Sequence, residues 1–314
     1  MSELDHSGLA QRVLTRVVGR VREIELVVAA LAADRHVLLE GPPGTGKSTL
    51  LRAVAHELGL GFEFVEGNAE LTPARLVGHF DPARVLSDGY DPDVFVDGPL
   101  VTAMRDGSLL YVEEINRIPE ETLNVLITVM SERELHVPRL GRVAASPGFR
   151  LVAAMNPFDA IGTARISSAV YDRVCRLSVD YQDAPDEASI VRTALPDASV
   201  DDVWLRRVVE VVRRTRTHPD VRIGSSVRGA IDTVAVATTL SKMRGTSVDD
   251  QAVGLDAALV ALSGRLRLRE GCSRSAEVIV TELWNEVFAE PDPAAGESDG
   301  EGKAHAPTGA SKGR

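Results

Sequence analysis

Residues 36–48 read HVLLEGPPGTGKS, so a short apolar run leads into a glycine-rich segment that ends in a lysine and a hydroxyl side chain. The segment from Gly41 to Ser48 matches the pattern G-x-x-x-x-G-K-[ST], and the residues from Ser48 to Leu58 are typical of a helix. In such a strand–loop–helix unit, backbone N–H groups and the helix N-terminus surround an anion. The sequence therefore predicts a phosphate loop that binds a nucleotide.

The side chains of this loop have distinct expected roles in holding ATP and Mg²⁺. Lys47 is expected to contact the β- and γ-phosphates, and the Ser48 hydroxyl to ligate Mg²⁺. The chain has only four lysines among its 35 basic residues, and none besides Lys47 precedes Lys242. An ammonium is a compact charge, whereas the planar fork of arginine has the wrong shape for this position. The predicted nucleotide contacts are Gly41, Pro42, Pro43, Gly44, Thr45, Gly46, Lys47, Ser48 and Thr49.

A second motif lies about 65 residues further along the chain, where residues 109–114 read LLYVEE. The apolar run predicts a buried strand, and Glu113 and Glu114 stand at its carboxyl end. Paired carboxylates beside a phosphate loop suit Mg²⁺ binding through Glu113 and activation of water by Glu114. The alternative is a solvated loop that carries two acids.

The composition limits the class of protein. Of the 314 residues, 44% are hydrophobic and 26% are charged, as in a globular chain. No stretch approaches about 18 uninterrupted apolar residues, so we expect no membrane span. The first 16 residues lack the apolar segment of a signal peptide, which predicts a cytoplasmic protein. The net charge of −11 is unfavourable for a surface that coats nucleic acid.

The chain is expected to form two domains and a tail. Residues 1–182 alternate short apolar runs with helical patterns, which predicts an α/β domain, whereas residues 183–290 show helical spacing. Residues 291–314 contain no Val, Ile, Leu, Met or aromatic side chain, so we predict a disordered tail. The predicted strands are 36–39, 62–65, 109–112 and 149–154, and the predicted helices of the second domain are 201–214, 226–241 and 248–262.

The two cysteines and seven histidines give no metal-binding pattern. The histidines are scattered without close pairs, and two cysteines cannot form a four-ligand zinc site. Cys175 lies in an apolar run and is predicted to be in the core, whereas Cys272 has no evident partner.

Three further motifs follow in order: residues 113–117 read EEINR, residues 154–157 read AMNP, and Asp172 precedes Arg173. With the phosphate loop and Val18-Gly19, they resemble the motifs of AAA+ ATPases, and specifically of the MoxR family, over about residues 17–262. The resemblance implies an α/β fold: a P-loop AAA+ parallel-sheet domain followed by a smaller all-helical lid domain. One departure is Glu113, because the family usually has Asp there and the extra methylene alters the metal shell.

The resemblance assigns roles to three more residues. Asn156 matches the sensor-1 position that orients the attacking water, and Arg173 matches an arginine finger for the γ-phosphate of a neighbouring subunit. Arg228 matches the sensor-2 arginine that links the lid to the nucleotide. Without the resemblance, Asn156 would be interpreted as part of a turn, and Arg173 as half of a surface ion pair with Asp172. Arg228 would be one of many arginines in its region.

Those arginines cluster in the second domain but lack interleaved aromatic residues, so we expect solvated helix faces and subunit contacts rather than a nucleic-acid patch. The cluster consists of Arg206, Arg207, Arg213, Arg214, Arg216 and Arg222. Two insertions also fit the family. Residues 81–99 form an expected insert in the sheet domain, and residues 133–144 an expected β-hairpin. Both could contact a client protein in an assembled ring, or be ordinary surface loops.

Taken together, the resemblance implies a Mg²⁺-dependent ATPase that forms a homo-oligomeric ring, expected to be a hexamer. Its expected role is that of a chaperone-like motor in maturation, metal-cofactor insertion or activation of a partner complex. The implied partners are a von Willebrand factor A-domain protein and a client protein. Two alternatives remain, a magnesium-chelatase-type motor subunit and a nucleic-acid-remodelling AAA+ ATPase. A small-molecule kinase is disfavoured because the acidic pair, Asn156 and Arg173 suit hydrolysis.

Overall fold

A computed structural model describes residues 6–157 and 167–290, in two compact units that meet in the sequence between Asp186 and Glu187. The predicted tail, residues 291–314, lies outside the described residues. The strands are β1 (His36–Glu40), β2 (Phe62–Glu66), β3 (Gly78–Phe80), β4 (Phe95–Asp97), β5 (Leu109–Glu113), β6 (Glu134–Val137), β7 (Gly141–Ala144), β8 (Arg150–Met155), β9 (Val174–Ser178), β10 (Val221–Ile223) and β11 (Arg267–Leu268). The helices are α1 (His6–Leu14), α2 (Val21–Ala32), α3 (Lys47–Leu58), α4 (Pro73–Val77), α5 (Pro82–Asp88), α6 (Pro99–Asp106), α7 (Glu120–Glu132), α8 (Ser168–Tyr171), α9 (Ala184–Ala194), α10 (Asp202–Thr217), α11 (Val227–Arg244), α12 (Gln251–Leu262) and α13 (Ala276–Ala289).

Five parallel strands form the central sheet of the first unit, in the order β2-β5-β8-β1-β9. The inner strands are buried on both faces, which produces the apolar runs that the sequence analysis identifies. β9 is an edge strand with a mixed pattern, and the sequence does not predict it. The prediction that Cys175 lies in the core is therefore wrong, because this edge position leaves the thiol exposed.

Alternate side chains of the strands enter two separate cores, one on each face of the sheet. Leu38 and Leu110 pack with α4, α6 and α7, whereas Val37 and Val152 pack with α1, α2 and α3. Because the strands are parallel, the loops after β1, β5 and β8 all leave from the same carboxyl edge. The fold therefore brings three motifs that are far apart in the sequence to one edge.

Both predicted insertions are present. β6 and β7 form the predicted antiparallel hairpin, with Glu134 opposite Ala144. The first insertion begins three residues earlier than predicted, since β3 pairs with β4 from Gly78 onwards and a three-residue strand leaves no readable pattern. The two insertions meet where the Arg139 guanidinium lies 4.0 Å from the centre of the Tyr90 ring.

The second unit is helical, as predicted, and adds a short antiparallel pair of β10 and β11. These strands have three and two residues, too few to produce a sequence pattern, so the expectation of an entirely helical unit needs this correction. The arginine cluster is only partly solvated: the Arg216 guanidinium lies 2.8 Å from the carboxylate of buried Glu187. No helix among the described residues is long and apolar enough to cross a membrane.

Candidate active site

The phosphate loop joins β1 to α3 at the carboxyl edge of the sheet. Gly44 and Gly46 have φ angles of +73° and +80°, a backbone conformation that glycine adopts readily and that turns the loop back towards α3. The N–H of Gly41 donates to the carbonyl oxygen of Met155 at 3.1 Å, which connects the start of the loop to the end of β8. The loop is therefore anchored to two adjacent strands.

Lys47 is buried and is the first residue of α3. Its ammonium donates to the carbonyl oxygens of Gly41 and Pro42 at 3.0 and 2.7 Å, and it lies 3.3 Å from the Thr45 hydroxyl. A positive charge removed from water requires such acceptors. The carbonyl groups of the loop thus hold the Lys47 ammonium within the loop. This places it beside the N-terminus of α3, which favours a bound anion.

Ser48 and Glu113 meet across the gap between α3 and β5. The Ser48 hydroxyl donates to Glu113 Oε1 at 3.3 Å and lies 3.3 Å from the Tyr111 hydroxyl. Burial raises the pKa of Tyr111 above its usual value, so its hydroxyl stays protonated. Adjacent oxygen ligands of an octahedral Mg²⁺ lie about 2.9 Å apart. The serine–glutamate pair therefore fits two neighbouring ligand positions for this ion.

The rest of a Mg²⁺ shell would have to come from elsewhere. The described residues contain no group of three or more histidine, cysteine or acidic side chains that could hold a metal by themselves. Mg²⁺ commonly retains water and binds through one or two protein oxygens together with substrate phosphates. The donor set thus fits a metal that arrives with a nucleotide.

Glu114 follows β5 in a left-handed conformation, with φ +52°, which ends the strand abruptly. Its carboxylate is partly exposed and pairs with Arg117 at 3.1 Å. Gly67 packs directly against this turn and donates its N–H to the Glu113 carbonyl at 2.7 Å. A Cβ on Gly67 would lie 2.8 Å from that oxygen, so the close approach of β2 to the acidic pair requires glycine.

The other three predicted site residues lie in different places. Asn156 is half-buried directly after β8, at the same edge as the loop. Arg173 directly precedes β9, and β9 starts opposite His36 at the beginning of β1, so Arg173 lies at the amino edge of the sheet. Arg228 belongs to the second unit, where it is exposed in the first turn of α11.

The amino edge carries a groove of about 550 Å³ in which Arg173 is held by hydrogen bonds. Its Nε donates to the Ser131 hydroxyl at 2.5 Å and its Nη1 to the Ala169 carbonyl at 2.8 Å. The five residues of β1 span about 16 Å between the two edges. The structure therefore brings Lys47, Ser48, Glu113, Glu114 and Asn156 together at one edge and places Arg173 at the other.

Arg20 also supports the phosphate loop, and sequence reasoning missed it. Arg20 is buried, has φ +66°, and its Nη2 donates to the carbonyl oxygens of Thr45 at 2.9 Å and Asp180 at 2.6 Å. Its Nη1 pairs with Glu23 at 3.0 Å. Nothing in the sequence separates Arg20 from the many other arginines, because the two carbonyls that it contacts are backbone atoms far away in the chain.

Comparison with known proteins shows the family of this chain. The AAA domain family (dynein-related subfamily) matches residues 36–174. The gas vesicle ATPase GvpN of Haloferax mediterranei is 31% identical over 247 residues, which are 74% of this chain and 70% of GvpN. An uncharacterized protein of Staphylococcus epidermidis is 30% identical over 220 residues, covering 68% of this chain and 81% of the relative.

Solved structures show the same fold at lower identity. A putative ATPase from Cytophaga hutchinsonii aligns with a TM-score of 0.50 and 19% identity over 89% of this chain and 93% of that protein. The Thermotoga maritima RuvB Holliday junction branch migration motor aligns with a TM-score of 0.55 and 18% identity, covering 80% and 72% of the two chains.

The protein belongs to the AAA+ ATPases, an ATP-hydrolysing class, and is of the MoxR-like type. The predictions of family, fold class and enzyme class are thereby confirmed.

Proposed function

We propose that this protein hydrolyses MgATP at the carboxyl edge of its sheet. The observation that carries the proposal is the meeting of Ser48 and Glu113 beside the loop that holds Lys47. Lys47 would neutralise the β- and γ-phosphates, and Ser48 and Glu113 would hold the metal. Bound Mg²⁺ supplies positive charge that stabilises the phosphate oxygens in the transition state. Glu114 would accept a proton from the attacking water, which Asn156 orients.

The site is completed by a neighbouring copy of the chain. Arg173 lies a full strand length from the phosphate loop of its own unit, so it cannot reach a phosphate bound there. Its groove at the amino edge instead suits contact with the carboxyl edge of the next subunit. A contact between two different surfaces repeats head to tail, and it gives a ring when the rotation from one subunit to the next closes. We expect a hexamer, with Arg173 acting on the neighbour's γ-phosphate.

Arg228 would report the nucleotide state to the second unit. An arginine in the first turn of a helix faces an unfavourable macrodipole, and α11 has no acidic residue there to compensate. Its position therefore has no evident benefit for the stability of α11, which favours a role towards an anion such as the γ-phosphate.

The mechanical output would act on another protein in the cytoplasm. The family resemblance supports a chaperone-like role in maturation, metal-cofactor insertion or activation of a partner complex, together with a von Willebrand factor A-domain protein. The two insertions offer a surface for a client, since Leu86 of α5 is 90% exposed and Arg139 joins the hairpin to the same region.

The first test measures ATPase specific activity against protein concentration for the wild type and for Arg173→Ala. We expect the wild-type specific activity to rise with concentration, and the variant to bind ATP but lose about 1,000-fold in turnover, the scale of an arginine finger. Arg22→Ala is a matched control, because Arg22 is exposed on α2. Specific activity that is independent of concentration and unaffected by Arg173→Ala would contradict the shared site.

A further inference from the structure

A buried carboxylate lies directly before the phosphate loop. The Glu40 side chain is 4% exposed and is the last residue of β1, adjacent to Gly41. Alternate residues of a strand share a face, so Glu40 lies on the same face as Leu38. Val170 of α8 packs in the core on that face together with Leu38. Glu40 therefore lies under α8.

Two side chains, one from α8 and one from β9, form polar contacts with the Glu40 carboxylate. The Arg176 guanidinium forms an ion pair with Glu40 Oε2, and the Tyr171 hydroxyl donates to Glu40 Oε1 at 2.7 Å. A buried charge without partners is strongly unfavourable, so both contacts are expected to be maintained. Tyr171 thus fixes the end of α8 to the residue that precedes the phosphate loop.

The same short helix also holds Arg173. Tyr171 is the last residue of α8 and stands two positions before Arg173, whose Nη1 donates to the carbonyl of Ala169 within that helix. α8 is therefore connected through Tyr171 to the residue before the chain's own phosphate loop, and through the Ala169 carbonyl to the arginine at the opposite edge of the sheet.

We propose that Tyr171 is a positioning residue that orients Arg173 for the neighbouring subunit through α8. The inference rests on the proposed shared active site. A movement of the phosphate loop in one subunit would pass through Glu40 and Tyr171 to the Arg173 that the subunit offers to the next. None of the family motifs identified in the sequence includes Tyr171, so the motifs alone do not predict this link.

A complementation experiment separates the donor of Arg173 from the acceptor. Donor subunits carry Glu114→Gln and retain Arg173, whereas acceptor subunits carry Arg173→Ala and retain Glu114. Each variant alone should be nearly inactive, and a mixture should regain activity because donors supply Arg173 to acceptor sites. Tyr171→Phe is then added to one partner at a time. Tyr90→Phe, an exposed tyrosine of the insert, is the matched control.

We expect Tyr171→Phe in the donor to lower the regained activity about tenfold, the scale of one lost hydrogen bond in the transition state. Tyr171→Phe in the acceptor should leave the regained activity unchanged, and so should Tyr90→Phe in either partner. Equal loss from donor and acceptor, or no loss from the donor, overturns the role of Tyr171 while leaving the shared site intact. Absence of any complementation before Tyr171 is changed overturns the shared site itself. Measurement of ATP affinity and melting temperature verifies that each Tyr171→Phe protein binds nucleotide and folds.

Discussion

Two arginines of the first unit show how position determines the role of a side chain. Arg20 is buried, and its planar guanidinium donates to two backbone carbonyls and a carboxylate at once. Arg117 is partly exposed and pairs with the carboxylate of Glu114. The fork of Arg20 suits a fixed set of acceptors, which a single ammonium would not reproduce. At the phosphate loop, an arginine therefore supports the backbone from outside, and a lysine lies within the loop itself.

Replacement of Arg20 tests this support. We expect Arg20→Met to keep the buried aliphatic stem but to weaken ATP binding about tenfold, because the Thr45 and Asp180 carbonyls lose a shared donor and the loop is less ordered before binding. Titration with a fluorescent ATP analogue measures the dissociation constant. Arg22→Ala, in the first turn of α2, serves as the control. An unchanged affinity for Arg20→Met would show that the loop keeps its conformation without Arg20.

At the scale of elements, β1 links the two edges of the sheet. Its last residue leads into the phosphate loop, and its first, His36, lies in the floor of the groove that holds Arg173. The His36 Nδ1 accepts the N–H of Leu151 from β8 at 2.9 Å, so the ring is neutral with its proton on Nε2. Burial, helped by the charge of Arg133, lowers the pKa of His36 to about 4.

This histidine should make the first unit less stable in mild acid. The folded-state pKa lies below that of an unfolded histidine, so the unfolded chain binds more protons as the pH falls below about 6.5, and stability is lost in that range. We expect a loss of about 2 kcal/mol in the free energy of unfolding between pH 7 and pH 5.

Urea unfolding followed by circular dichroism at the two pH values measures this loss. His36→Gln removes the titrating ring but keeps an oxygen acceptor, and should reduce the pH dependence by the stated amount. His79→Gln, at an exposed position of β3, should show the same pH dependence of stability as the wild type. Equal pH dependence in His36→Gln and the wild type would show that the pKa of His36 is the same in the folded and unfolded states.

At the scale of the whole molecule, the residues of the proposed site are divided between the two units. Lys47, Ser48, Glu113, Glu114 and Asn156 lie in the first unit, whereas Arg228 lies in the second. The two tryptophans of the chain, Trp204 and Trp284, are both buried in the core of the second unit. Tryptophan fluorescence therefore reports the folding of the second unit alone, separately from ATP hydrolysis.

Replacement of Arg228 should separate activity from stability. Because Arg228 is exposed and faces an unfavourable helix dipole, Arg228→Ala should change the unfolding free energy of the second unit by less than about 0.5 kcal/mol. We expect turnover to fall about tenfold or more if Arg228 contacts the γ-phosphate. Steady-state ATPase assays and denaturant unfolding by tryptophan fluorescence provide the two measurements. Arg222→Ala, also exposed, is the control, and equal turnover in both variants would rule out the assigned role.

The sequence by itself determined the phosphate loop, the acidic pair, the inner strands of the sheet and the helices of the second unit. These features are encoded by neighbouring residues, because loop chemistry and apolar periodicity depend on local order in the chain. The short strands β3, β10 and β11 and the edge strand β9 left no such signal, so Cys175 was misplaced in the core.

Only the tertiary structure decided which distant groups meet. The contacts of Arg20 with Thr45 and Asp180, the approach of Gly67 to Glu113, and the link from Glu40 to Tyr171 each join residues far apart in the sequence. They depend on strand order and register, which place backbone carbonyls and buried carboxylates beside side chains from other elements. Parallel pairing also placed Arg173 at the edge of the sheet away from the phosphate loop. β1 and β9 run in the same direction and begin at the same edge, so Arg173 lies before β9 at that edge and the loop follows β1 at the other.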